Sequence, residues 1–125
     1  MTISRRQARR QALFLLYQWD LSGQEIGSQY AGEIDPWARA VAEAVAGRAG
    51  ELDERITDAA EGWTADRLGT VERSALRVAV HELDTREVPA EVAINEAVAF
   101  AKRYASEDAA RLVNGILGRI QREAA

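Results

Sequence analysis

The sequence predicts an all-α fold, and three observations carry that expectation. Apolar residues recur at three- and four-residue spacing along most of the chain, as in Ala75, Leu76, Ala79, Val80 and Leu83. Sustained period-2 alternation is missing, and the two prolines, Pro36 and Pro89, stand at breaks between helical stretches. Hydrophobic residues make up 47% of the 125 positions, enough for one compact domain with its own core.

The first helix is expected from Ile3 to Leu21, and it changes character halfway along. Ser4-Arg5-Arg6-Gln7-Ala8-Arg9-Arg10 carries four arginines and no acid, whereas Gln11 to Trp19 is almost entirely apolar. Helical spacing puts Arg5 above Arg9 and Arg6 above Arg10, so the guanidinium groups are expected in two adjacent exposed stripes. Ala8, Ala12, Leu15, Leu16 and Trp19 form a core face, and Leu13, Phe14, Tyr17 and Leu21 add apolar surface on a second side. A helix apolar nearly all round is a buried one, so this rod is expected at the centre of the molecule.

Ser22 to Asp35, with Gly23, Gly27 and Gly32, reads as a loop holding at most one short turn. Asp35-Pro36 is a helix start, Asp35 the cap and Pro36 the first helical residue. Trp37, Ala40, Val41, Ala44 and Val45 should line its inner face until Gly47 and Gly50 interrupt the pattern. The next helix, about Glu51 to Glu61, turns Leu52, Ile56 and Ala59 inward and ends at Gly62. Residues 62–70 look like a joint between two halves. Val71 to Arg86 is strongly amphipathic and is broken by Val88-Pro89. Ala90 to Ala105 follows, with Ile94, Ala97, Val98 and Ala101 in and Asn95, Glu96, Lys102 and Arg103 out. Ser106 caps a last helix with Glu107 and Asp108 in its first turn and Leu112, Val113, Ile116, Leu117 and Ile120 as its stripe. Asn114, lying within that apolar register, reads as a core residue bonded to backbone. The count is six or seven helices.

Charge is distributed unevenly. Every acidic residue lies at or after Asp20, so the first ten residues carry +4 while the remainder holds twelve basic against twenty acidic residues, a net −8. An acidic body repels a polyanion, so nucleic-acid binding has to be local and aimed by the N-terminal arm. The plainer reading is a solvated helix start, but cations there oppose the helix dipole at a cost of a few tenths of a kcal/mol each. Absent cysteine excludes a disulfide framework or thiolate metal site and fits a reducing cytoplasm. The chain starts without a signal-peptide core and contains no apolar run of membrane-span length. The single histidine, His81, reads as a surface residue; Ser74 is seven positions away on the same helix, about 10 Å along its axis, too far to bond it. The glycines fit neither phosphate-loop pattern, so no catalytic site, cofactor or metal is expected.

Three stretches together resemble the NusB family of transcription antitermination and termination factors. They are Ser4-Arg5-Arg6-x-Ala8-Arg9 running into Ala12-Leu13-x-x-Leu16-Tyr17-x-Trp19, then Trp63-x-x-x-Arg67-Leu68-x-x-Val71-Glu72-Arg73-x-x-Leu76-Arg77, and Val88-Pro89 through Val92-Ala93-Ile94-Asn95-Glu96-Ala97-Val98-x-x-Ala101-Lys102. Glu107-Asp108 and Val113-Asn114-Gly115-Ile116-Leu117 complete the last stretch. The resemblance spans essentially the whole chain and is weakest between Ser22 and Gly62. It implies a single NusB-like domain over residues 1–125, built as two three-helix bundles, about 1–62 and about 67–125, around the N-terminal helix. It also implies a role rather than a reaction. Such a protein binds single-stranded boxA-type RNA together with NusE, a small-subunit ribosomal protein, and helps RNA polymerase read through terminators in ribosomal RNA operons. Other Nus factors and the polymerase are engaged indirectly.

Carried over residue by residue, Arg5, Arg6, Arg9 and Arg10 form an arginine-rich RNA motif, position 10 being one whose charge varies in the family. Lys102, Asp108 and Leu112 line the rest of the RNA path. Leu112 stands where relatives often place an aromatic, and leucine cannot stack on a base. Tyr17 and Glu72 match positions that face NusE. Glu72 also reads as an ordinary first-turn acid stabilised by the helix dipole. Because the arginines lie outside the expected core stripe, replacing Arg5 and Arg9 by alanine should leave stability intact. Two other classes fit the residues: a helical protein-interaction module, and a stand-alone helical domain like that of RNA cytosine methyltransferases. Whether the free chain is a monomer or a homodimer that hides its arginines is left open by the sequence.

Overall fold

Six α-helices and one 3-10 turn succeed one another in the computed structural model, which describes residues 3–124. They are α1 (Arg5–Ser22), α2 (Pro36–Gly47), α3 (Ala49–Ala59), the 3-10 turn (Ala65–Arg67), α4 (Thr70–Thr85), α5 (Ala90–Tyr104) and α6 (Glu107–Ala124). Among the described residues there is no strand. Local chemistry explains the starts. The Ser4 hydroxyl accepts from the Gln7 N–H at 3.1 Å while the Gln7 side chain accepts from the Ser4 N–H at 2.9 Å, which moves the start of α1 from Ile3 to Arg5. Asp35 caps α2 through the Ala38 N–H, and Ser106 caps α6 through the Ala109 N–H, both at 3.0 Å. Arrest of α1 comes from Gly23, whose φ of 71° lies in the left-handed region glycine tolerates.

The central helix is α4 rather than α1. Every residue from Ser74 to Val80 is buried, because α4 packs against α1, α2, α3, α5 and α6 alike. The expectation for α1 is met only in part: no residue between Gln11 and Asp20 is exposed, but Leu21 is 61% exposed. α4 escapes recognition as the hub because it carries Arg73, Arg77 and Glu82, residues that normally mark a solvent face. Here each is answered from a surrounding helix. The Arg73 guanidinium donates to Asp20 of α1 at 2.6 Å and to the Leu68 carbonyl at 2.9 Å. Arg77 forms a fork with Asp53 of α3 at 2.8 and 2.7 Å. Burial opposes the charge of Arg77, but the hydrogen bonds and charges of Asp53 and Asp20 outweigh it and raise its pKa.

The third answered charge corrects the view of the basic arm. Arg9 is 4% exposed and its guanidinium grips Glu82, also 4% exposed, through three hydrogen bonds of 2.8 to 3.0 Å. Arg9 therefore does not share an open stripe with Arg5; it enters the core and pins the start of α1 to α4. α1 and α2 meet through Ala8, Ala12 and Ala38, small side chains that permit close approach. Seen from α2, the sealed residues are Ala38, Ala42 and Val45, so of the expected face only Val45 is fully buried. Trp37, Ala40, Val41 and Ala44 instead line a cleft of about 220 Å³ facing His81, Glu82 and Thr85. His81 is thus half-buried rather than free on the surface, with Nδ1 3.0 Å from the Arg48 guanidinium. Burial, with the positive charge of Arg48 next, lowers its pKa below the usual histidine value. Arg48 also bonds Glu51 and Asp84, so the network joins the α2–α3 junction to α4.

Two outcomes follow for stability. Arg9→Ala strands the Glu82 carboxylate in the core and should cost about 3–5 kcal/mol, whereas Arg10→Ala should change stability by less than about 0.5 kcal/mol. Urea melts of the two variants check this, and equal stabilities would refute the clamp. For His81, folding favours the neutral ring, so its contribution is complete above pH 6.5, the ordinary value, and is lost as pH falls through its lowered folded value. As this is the only histidine, the melting temperature should fall from pH 7 to pH 5 more steeply in the wild type than in His81→Gln. Parallel profiles would show that His81 is not coupled to folding.

Candidate nucleic-acid interface

With Arg9 withdrawn, the arm consists of Arg5, Arg6 and Arg10 on two sides of α1. Arg5 stands over the Trp37 ring, its guanidinium carbon 4.1 Å from the centroid, and is exposed. Arg6 reaches α5, where its Nε is 3.0 Å from Glu96. Arg10 is exposed and has no ion pair among the described residues. Arg6 and Arg10 border a shallow groove of about 40 Å³ between α1 and α5, with Phe100 and Tyr104 also in its wall. Guanidinium forks along such a groove suit phosphate, whose oxygens they meet two at a time.

Aromatic packing holds the far end of this groove in place. Phe14 of α1 meets Phe100 and Tyr104 of α5 edge to face, with centroids 5.5 and 5.0 Å away. Tyr104 keeps 38% of its surface exposed, and Arg103 stands 5.5 Å from its ring. The tyrosine was not among the residues singled out in the sequence. Its signal was faint: an aromatic on the charged side of a helix end, among Lys102, Arg103 and Glu107. Lys102 and Asp108 are exposed at the corner where α5 gives way to α6, Lys102 3.8 Å from Glu107 and Asp108 bonded to Arg111. Leu112 is half-buried against the main core. The core role expected for Asn114 is not realised, since its side chain is exposed on the outer face of α6. It falls one position after Val113, which alone of the two turns inward.

Tyr17 and Glu72 occupy the other end of α1 and the start of α4, both half-buried. The Glu72 carboxylate accepts from the Gly69 N–H at 3.2 Å, closing the first turn of α4. A Cβ on Gly69 would come within 2.6 Å of that carboxylate, so the glycine is what lets Glu72 fold back. The local capping role is therefore real, and it leaves the second carboxylate oxygen for another donor. A cleft of about 650 Å³ bordered by Leu83, Val88, Pro89 and Ile120 shares no residue with the arm. Among the described residues no group of three or more His, Asp or Glu is placed to hold a metal ion, and no helix is long and apolar enough to cross a membrane.

This geometry agrees with comparisons to known proteins. A transcription antitermination protein NusB from Salinispora tropica is 41% identical over 128 residues, 94% of each chain. A solved structure of NusB from T. maritima superposes with a TM-score of 0.86 at 32% identity, covering 98% of this chain and 94% of that one. The NusB chain in a crystal structure of antitermination factors NusB and NusE in complex with dsRNA gives 0.82 at 30% identity, covering 95% and 96%. Residues 6–122 match the NusB family throughout, and on that extent of sequence and fold the chain belongs to the NusB family.

Proposed function

We propose that this protein is a non-enzymatic RNA-binding antitermination factor. It binds boxA-type RNA in the cytoplasm together with NusE, the small-subunit ribosomal protein, and promotes read-through by RNA polymerase in ribosomal RNA operons. The observation that carries the reading is the groove where Arg6 and Arg10 stand with Tyr104, with Arg5 on the α2 side of the same first turns of α1, on a chain of net charge −4. Arginine supplies the phosphate contacts, and an aromatic face accepts an unstacked base. Tyr104 offers at the α5–α6 corner the stacking surface that Leu112 lacks. In this reading Asp108, released from Arg111, accepts from an exocyclic amine such as that of cytosine, and Lys102 meets phosphate. Relatives in this family occur with dsRNA; an exposed tyrosine suits a single strand, whose bases are free to stack. Arg9 enters as the clamp that aims the arm, not as a phosphate contact. We further read residues 1–62 and 67–125 as the two halves of a single domain, hinged in sequence at the 3-10 turn.

Two experiments test this. Each phosphate neutralised on single-stranded RNA contributes about −0.7 to the slope of log K against log salt. Replacing Arg5 and Arg10 by alanine should therefore flatten the slope by about 1.4 and weaken binding, with little change in the melt. An unchanged slope and affinity would place the RNA elsewhere. On the partner face, Glu72→Gln keeps the capping geometry but removes the charge offered to a basic partner. Co-purification with NusE should weaken by about 2 kcal/mol or more at constant melting temperature. Full retention of NusE would remove Glu72 from that interface.

A further inference from the structure

Glu96, from the Ala93-Ile94-Asn95-Glu96-Ala97 motif, has no part in the reading above, yet it sits inside the arginine groove. Its neighbours on α5, Ala93, Ala97 and Phe100, are buried, so the helix face that bears it is fixed toward α1. The carboxylate is 21% exposed, unlike the fully solvated acids of a surface helix, and its Oε1 lies 3.0 Å from Arg6 Nε. Arg6 itself is 69% exposed, so the pair stands at the mouth of the groove and not beneath it. Arg9, which also borders the groove, is already neutralised by Glu82. The groove thus offers two cations, Arg6 and Arg10, and one built-in anion. The anion lies where a bridging RNA phosphate has to come if it is to engage Arg6 from the α5 side.

We propose that Glu96 is an affinity-setting counter-ion of the RNA arm: it takes the place of a phosphate on Arg6 in the free protein and must be displaced or out-competed when RNA binds. This rests on the RNA-binding reading and adds to it a residue that weakens binding. A fixed carboxylate penalises every polyanion alike, whatever its base sequence, so tight binding is left to RNAs that add base contacts or arrive with the partner chain. The α1–α5 interface does not depend on the pair for its integrity, because Phe14, Phe100 and Tyr104 already join the two helices there. An ion pair this open to solvent is worth at most about a fivefold factor.

The test is RNA affinity across a salt series for the wild type, Glu96→Gln, Arg6→Ala and the double variant, each with a boxA-type and a scrambled single-stranded RNA. Glu96→Gln should bind both RNAs about three- to fivefold more tightly at low salt, with a slope steeper by up to about 0.7. Its circular dichroism and melt should match the wild type, since glutamine has the same shape. The gain should disappear when Arg6 is alanine, an outcome that a purely structural role for Glu96 would not produce. Unchanged or weaker binding by Glu96→Gln, or a gain that survives without Arg6, overturns the proposal. A loss confined to the boxA-type RNA also overturns it, by making Glu96 a base acceptor. If neither wild type nor variant binds RNA at low salt, the RNA reading and this role fall together; wild-type binding without the gain removes this role alone.

Discussion

Everything in this fold answers to one constraint: α4 has no side that faces water along its middle, yet it carries charged residues. A charge removed from water costs several kcal/mol unless it is paired and its remaining polar atoms are bonded. Each charge on α4 therefore dictates what a neighbouring helix must bring to it. Arg73 and Arg77 call for Asp20 at the end of α1 and Asp53 on α3, and Glu82 calls for Arg9 at the start of α1. The apolar residues around them explain why the helices collapse together. The ion pairs explain why they collapse in this register, since sliding α1 by one turn would break pairs at both of its ends.

That double tether has a consequence for the candidate site. α1 is held at Arg9 by Glu82 and at Asp20 by Arg73 and Arg77, positions separated by three turns of helix. The arginines next to Arg9 consequently project from a fixed rod. Side chains on such a rod lose less freedom on meeting a ligand than they would on a frayed end, which is the advantage of a preorganised surface. Ser4 and Gln7 contribute to the same end by closing the first turn of α1, where the row of cations would otherwise favour unwinding.

Helix starts were legible because their signals are local: Asp35 before Pro36, and Ser106 before Glu107-Asp108. The inner residues of α3 and α6 were legible because Leu52, Ile56, Val113, Ile116, Leu117 and Ile120 are large and apolar and repeat at helical spacing. α2 was misread in part because its alanines fit either face; the approach of Ala8 and Ala12 seals Ala38, while Ala42 joins the main core. Arg9 was misread for a different reason. Its partner lies 73 positions away, and nothing within the Ser4–Arg10 segment distinguishes it from Arg5 or Arg10. Tyr104 was overlooked because one aromatic at a helix end has no periodic signature; its meaning arises only when Phe14 brings α1 alongside. Family membership was the most legible property, since it rests on dozens of positions at once, while the role of each side chain rests on one.

The same pairing rule that organises the core also shapes the surface that remains. Nine of the fifteen arginines are paired with acids: besides Arg6, Arg9 and Arg39, these are Arg48, Arg55, Arg73, Arg77, Arg111 and Arg119. Cations tied up in this way present little net charge to a distant polyanion, because the field of a close pair falls off much faster than that of a single charge. Arg5 and Arg10 lack such partners among the described residues, as do Arg67, Arg86, Arg103 and Arg122; of these only Arg5 and Arg10 lie within a few residues of each other on one helix. An acidic chain that answers most of its own arginines leaves few places where phosphate is welcome, and the first turns of α1 hold two of them. Selectivity of location is in this sense a by-product of how the interior is paired. The residues that hold α1 to α4 are withdrawn from binding, and by withdrawing they define which of their neighbours are left to bind.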